Sequence, residues 1–366
     1  MITETLQIFT HPDFVERAKL FYEKYDLKEI IIQGDEQRSK KNLKANRIRR
    51  CAFCQNSYPK TSFSNYSHLV PQLMGNSNLY SDFECNHCNE VFSGYENDLA
   101  NFLGISRSIL GINGEKIAPS FVARKLSAKS RSYISDNILI IAPEDIEIDG
   151  LTRKIKYFKN PFEPSRVYKA LLKSALSIIG ERAICENYKH VLNYLKGNFE
   201  ITKGAFISGY NLSFQLNLPL HIYLFEKKIK NDPIPTHFVV FHFQNNIIAI
   251  PIPLHKEDSF FYNKSFDIPV PPPYFINYKN MNIAFPSPYF RDLADHKKII
   301  NEEEIITFQL DPKSIENTAI YDTLKGEFIK EEREMGKIKY LIIMREGMTI
   351  NPEKFSTFIK QIEQVV

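Results

Sequence analysis

The chain has 366 residues and is 43% hydrophobic, which is enough for two domains with ordinary cores. A net charge of +4 excludes a polycation. No apolar run approaches the roughly 20 residues of a membrane helix, so no membrane partner is expected. Five cysteines exclude a disulfide scaffold. Four of them form two C-x-x-C pairs, which favours a metal and a reducing, cytoplasmic setting. The fifth, Cys185, reads as a buried or half-buried free thiol. Glu4 and the lack of a basic n-region before an apolar run argue against a signal peptide.

In chain order, residues 1–37 read as a small α/β entry segment. A strand is expected at 6–9 and a helix opening near Pro12, with Phe14, Val15, Ala18, Phe21 and Tyr22 at helical spacing. A second strand is expected at 28–32. Residues 38–50 hold seven basic residues and no acid: Arg38, Lys40, Lys41, Lys44, Arg47, Arg49 and Arg50. They read either as a solvated face or linker, or as an arm that binds nucleic-acid phosphates through counterion release.

Residues 51–104 carry the chemistry. Metal-tied turns are expected at Cys51/Cys54 and Cys85/Cys88, a strand at 66–70, a loop at 71–81 and a helix at 89–103. Four thiolates close a tetrahedral zinc site with no open position for water, so such an ion would be structural. It would hold together a unit too small to have a large core.

Beyond it, residues 105–160 read as a β-rich connection, with a strand at 137–142 and an acidic turn at 145–149. A helix is expected from Pro164 to Gly180 with a broad apolar face, which is a core signature. A second is expected at 183–195. Residues 199–290 read as β structure, with a hairpin at Gln244-Asn245-Asn246. His237 and His242 are five positions apart, so they face opposite sides of a strand and read as structural. The run at 270–273 is a stiff proline segment. A strand at 338–344 and a helix at 352–364 are expected to close a mixed α/β end.

The run S-H-L-V-P-Q-L-M-G-N at 67–76, followed by C-N-H-C-N-E-V-F-S-G-Y-E-N-D-L at 85–99, resembles the HNH endonucleases. More narrowly, it is similar to their zinc-bound branch with a C-x-x-C pair on either side of the histidine. The resemblance covers about fifty residues. For those residues it implies a zinc-stabilised ββα-metal module; with the strand and helix patterns read downstream, the whole chain is expected to be α+β, the module being followed by a mixed α/β C-terminal domain with an antiparallel sheet. The segments are then 1–37, a basic arm with the nuclease domain at 38–135, and a recognition or regulatory domain at 136–366.

The resemblance also assigns roles. His68 is the general base, with a pKa near neutrality. Asn89 is a ligand of a catalytic Mg²⁺ or similar divalent cation, and Glu96, one or two turns down the helix, is a carboxylate on the metal's side or just behind its ligands. Asn78 or Asp82 is the asparagine-like brace of the loop. Cys51, Cys54, Cys85 and Cys88 hold structural Zn²⁺. Ser67 stands where many members carry an acidic metal ligand. DNA is the implied substrate, with RNA not excluded, and restriction or phage defence is the implied setting. Cutting both strands would need a homodimer or two visits. Two alternatives stand beside this one: a zinc unit with a basic arm that binds nucleic acid without cutting it, and a zinc-stabilised interaction protein.

Overall fold

A computed structural model describes residues 14–33, 49–105, 121–122, 131–135, 138–142, 145–149, 152–201, 204–212, 218–258, 270–272, 287–309, 320–322, 327–329 and 341–344. The architecture is α+β with antiparallel sheets. Two compact units form, each from separated stretches of chain: Met1–Ala100 with Phe162–Lys298, and Asn101–Pro161 with Ile299–Val366. The segments expected from sequence are contiguous; the compact units are not.

In the first unit, α1 (Val15–Lys24) leads directly into β1 (Tyr25–Ile32). The expected strand at 6–9 lies outside the described residues. Next come the two-residue strands β2 (Ser67–His68) and β3 (Tyr80–Ser81), then α2 (Asn86–Leu103). Three helices follow: α3 (Pro164–Ile179), α4 (Glu181–Asn187) and α5 (Lys189–Leu195). The unit's remaining strands are β4 (Phe206–Asn211), β5 (Leu218–Lys227), β6 (His237–Gln244), β7 (Asn246–Ile252) and β8 (Tyr289–Asp292).

The main sheet has the order β1-β5-β6-β7-β4-β8, and every pairing is antiparallel. Strands β6 and β7 are buried at nearly every position, so both faces of the sheet's centre are covered. This explains their continuous apolar sequence. Phe14, just before α1, and Phe21 within it join a cluster with Tyr25, Tyr223, Phe225 and Phe238. The Phe21 ring stacks on Tyr25 at 5.0 Å and meets Phe225 edge-on at 5.0 Å. Helix α3 packs on β7 and is buried along almost its whole length, its lysines Lys169 and Lys173 included.

The helix expected at 183–195 is two helices, broken at Tyr188. The Tyr188 hydroxyl bonds His237 Nδ1, so tertiary structure breaks a segment that local pattern alone would continue. His242 lies across the ladder from His221, well separated from that contact, as the alternation of the strand demands.

The second unit is described mainly as strands. Asp145–Asp149 is a strand, not the expected acidic turn; it pairs with Thr152–Phe158, which pairs with Glu303–Gln309. Phe121–Val122, Arg131–Ser135, Ile138–Ala142 and Leu341–Met344 form a second sheet, and Ile320–Asp322 with Glu327–Ile329 a third. Gly104 sits at φ +63°, and a Cβ there would come within 2.7 Å of the Tyr157 hydroxyl. The helix expected at 352–364 lies outside the described residues.

Candidate metal centre and the histidine beside it

The two cysteine pairs converge. Their four Sγ atoms all lie within 4.8 Å of one another. Cys51 Sγ is 3.7 Å from Cys88 Sγ, and Cys54 Sγ is 3.7 Å from Cys85 Sγ. A tetrahedral zinc with Zn–S bonds of about 2.3 Å requires sulfurs about 3.8 Å apart, so the spacing fits. A disulfide would need about 2.05 Å, and all four thiols are free. Each turn also aims a backbone N–H at its first sulfur, Cys54 N to Cys51 and Cys88 N to Cys85, both at 3.5 Å. Such donors favour the thiolate. The Cys88 thiol pulls the Cys51 pKa down, and that same contact, ahead of burial, pushes Cys88 up. Sulfurs this close resist ionising together unless a cation sits among them, so the four could hold a metal such as zinc.

The knuckles are positioned from both sides. Cys51 N bonds Asn56 O at 2.9 Å, and Ala52 N bonds Phe83 O at 2.8 Å. Phe53 packs edge-on against Phe92 of α2 at 4.9 Å. Helix α2 opens at Asn86, whose amide bonds the Ser62 and Ser64 hydroxyls at 2.8 and 2.6 Å. It therefore starts three residues before the expected Asn89, which lies partly exposed in its first turn. Cys185 is half-buried and takes a 3.3 Å hydrogen bond from Gln55, the residue after Cys54.

His68 ends β2, opposite Tyr80 of β3, with the two rings 4.6 Å apart. The strand's alternation sends Ser67 the other way: it is 1% exposed, and its hydroxyl has no hydrogen-bond partner among the described residues. Two amides meet the His68 ring, Gln72 Nε2 at 3.1 Å from Nε2 and Asn76 Nδ2 at 3.3 Å from Nδ1.

Asn76 is nearly fully buried and braces the loop. Its amide donates to Val70 O at 2.6 Å and Leu79 O at 3.0 Å, and its Oδ1 accepts from Asn78 N at 3.1 Å and Leu79 N at 2.8 Å. Both amide hydrogens are thus committed, which leaves the approach to Nδ1 a close contact. The expected braces behave differently. Asn78 gives its backbone N–H to Asn76, and neither Asn78 nor Asp82 bonds the His68 ring. Gly75, at a φ of +90°, turns the chain back just before Asn76 and so aims that side chain into the loop.

A second residue absent from the sequence reading is Lys173 of α3. Its side chain is 1% exposed. Its ammonium donates to the backbone carbonyl of His68 at 2.7 Å and pairs with Glu84 Oε2 at 3.0 Å. Glu96 Oε1 lies 4.0 Å away, and the Phe92 ring centroid 5.8 Å. Burial pushes the Glu84 carboxyl up to about 7 and also raises Glu96, with Lys173 opposing both. The near-neutral pKa expected of His68 is not what the surroundings give. Burial, then the Lys173 charge, lowers it to about 4, so the ring is neutral at physiological pH.

The basic stretch from Arg38 to Arg47, with Lys40, Lys41 and Lys44, lies outside the described residues. Arg50 bonds Gln55 O at 2.9 Å and so braces the first knuckle, while Arg49 bonds Phe63 O at 3.1 Å further along the chain. No described helix is long and apolar enough to cross a membrane. No family model, no curated protein and no solved structure matches the chain.

Proposed function

We propose that this chain is a zinc-stabilised endonuclease of the HNH kind, acting on phosphodiester bonds in DNA, with RNA not excluded. The carrying observation is the placement of His68: a neutral, partly accessible imidazole on a two-stranded ribbon that the four-cysteine cluster ties to a helix. A neutral ring can take a proton from water as that water attacks phosphorus. The Gln72 amide, which carries both a donor and an acceptor, can partner Nε2 before and after it gains the proton. Asn76 keeps the loop, and so the ring, in register.

Magnesium commonly uses one or two protein oxygens and fills its shell with phosphate and water. Asn89, partly exposed in the first turn of α2, fits such a role, whereas Glu96 lies beside the Lys173 ammonium and Ser67 is buried. When bound there, the ion would neutralise charge on the phosphate and the leaving oxygen.

Incubating the chain with supercoiled plasmid and Mg²⁺ tests the reading. Nicking by the wild type, lost in His68→Ala at unchanged zinc content, is the expected result. Nicking that persists in His68→Ala would sink it. The buried Ser67, in the position where the resembled family carries an acidic ligand, favours a second reading: a zinc module that binds nucleic acid without cutting it. Salt-sensitive binding without any nicking would select that reading.

A further inference from the structure

We propose that Lys173 is a positioning residue for His68: its buried ammonium, carried by α3, holds the carbonyl of the residue that bears the imidazole. This rests on the nuclease reading above and adds to it a residue 105 positions away in sequence.

The geometry is specific. Strand β2 has two residues, so its ladder with β3 restrains the backbone at His68 only weakly. A lysine in the interior is costly to desolvate, and an apolar side chain would fill the same space at no such cost. The ammonium's directed hydrogen bond goes to the carbonyl of His68 itself, at 2.7 Å. Its charge is balanced by Glu84 at 3.0 Å, the residue before Cys85, and by Glu96 of α2 at 4.0 Å. One nitrogen therefore ties together the strand that carries the ring, the second cysteine knuckle and the helix that follows it. The ionisable groups facing His68 are Tyr80 from β3 and Lys173 from α3, with Glu84 and Glu96 behind the ammonium.

The test uses the full chain with Lys173→Met, measured for zinc content, plasmid nicking and the imidazole titration of His68 by NMR. Since Lys173→Met strands a buried carboxylate, Lys173→Met/Glu84→Gln is made in parallel. The expected result is retained zinc, with kcat for nicking down by about tenfold to a hundredfold and KM little changed. The His68 titration should move to higher pH as the neighbouring cation is removed. A lysine that serves the fold alone would leave kcat per zinc-loaded chain unchanged, whereas the titration reports that the cation sits beside the ring in solution.

The NMR arm needs no turnover, so it decides the contact even if the wild type proves not to cut. Unchanged nicking at full zinc content, or a His68 titration that stays in place, overturns the proposal. So does loss of zinc in both variants, which would make Lys173 a fold residue only.

Discussion

Lys173 Nζ and the main-chain carbonyl of His68 are 2.7 Å apart, bridging a helix of the main body and a two-residue strand of the cysteine module. The module is thus built into the larger unit rather than hung from it. Gln244, at the β6–β7 turn, adds a 2.8 Å bond to Leu73 O, and Tyr95 bonds Leu195 O at 2.9 Å. Each tie uses a backbone carbonyl of one part and a side chain of the other.

The buried pair Lys173–Glu84 should behave as a coupled unit in folding. Removing one partner strands an uncompensated charge, and Glu84→Leu alone should cost about 3–5 kcal/mol in urea unfolding. Replacing both, as Lys173→Met/Glu84→Leu, should recover most of that loss. A double-mutant cycle measures the coupling. Additive single losses would show that the two groups do not sense each other.

Asn76→Ala should destabilise the unit more than an ordinary polar deletion. Four backbone groups lose a partner at once: the Val70 and Leu79 carbonyls and the Asn78 and Leu79 amides. At about 1–3 kcal/mol for a buried unsatisfied group, with partial rescue by water, a total of about 3 kcal/mol is expected. Asn78→Ala leaves those four bonds in place and should cost less than Asn76→Ala. Thermal melts of the two variants at full zinc occupancy check the contrast. Equal losses would mean that the turn is held some other way.

These two residues also show where the sequence stops being informative. The convergence of the cysteine pairs is legible because ligand spacing is a local property of the chain. The run G-N-S-N offers two asparagines three and one positions before Leu79, and only the path of the turn decides which one faces inward. Lys173 sits in a helix whose period marks an apolar stripe, and periodicity treats a lysine there as solvated. That it is 1% exposed depends on two carboxylates contributed by remote segments. At 145–149 the pattern D-I-E-I-D alternates with the period of a strand, but three acids before Gly150 carry a competing turn signal. The break at Tyr188 has no local signal either, because its partner His237 is 49 residues away.

Zinc removal should unfold the module before the sheet. Cys85 is fully buried and shares the cluster with Cys51, Cys54 and Cys88. Cys85→Ser should lower bound zinc to near background and cost several kcal/mol, as expected where metal binding and folding are one event. Cys185→Ser should leave zinc content unchanged, since its thiol contacts Gln55 and is no member of the cluster. Elemental analysis of both variants checks the assignment, and equal zinc loss from both would contradict it.

Stability should fall on mild acidification, through histidines of the main sheet. Burial lowers His237 to about 4 and His242 to about 3, against an ordinary value of 6.5. Both rings are therefore neutral in the folded chain at pH 5, whereas the unfolded chain is largely protonated at those positions. The unfolded state binds more protons, so unfolding gains favour as pH drops from about 6.5 towards 4; above 6.5 the contribution is fully present. Thiolate protonation and metal loss act in the same direction, so the wild-type slope alone does not isolate the histidines. His242→Leu does: it keeps the volume roughly, removes the ring with the larger shift and leaves the cysteines untouched. Urea midpoints at pH 7 and pH 5 should then differ less in His242→Leu than in wild type. Identical differences in the two proteins would show that His242 takes no part in the acid response.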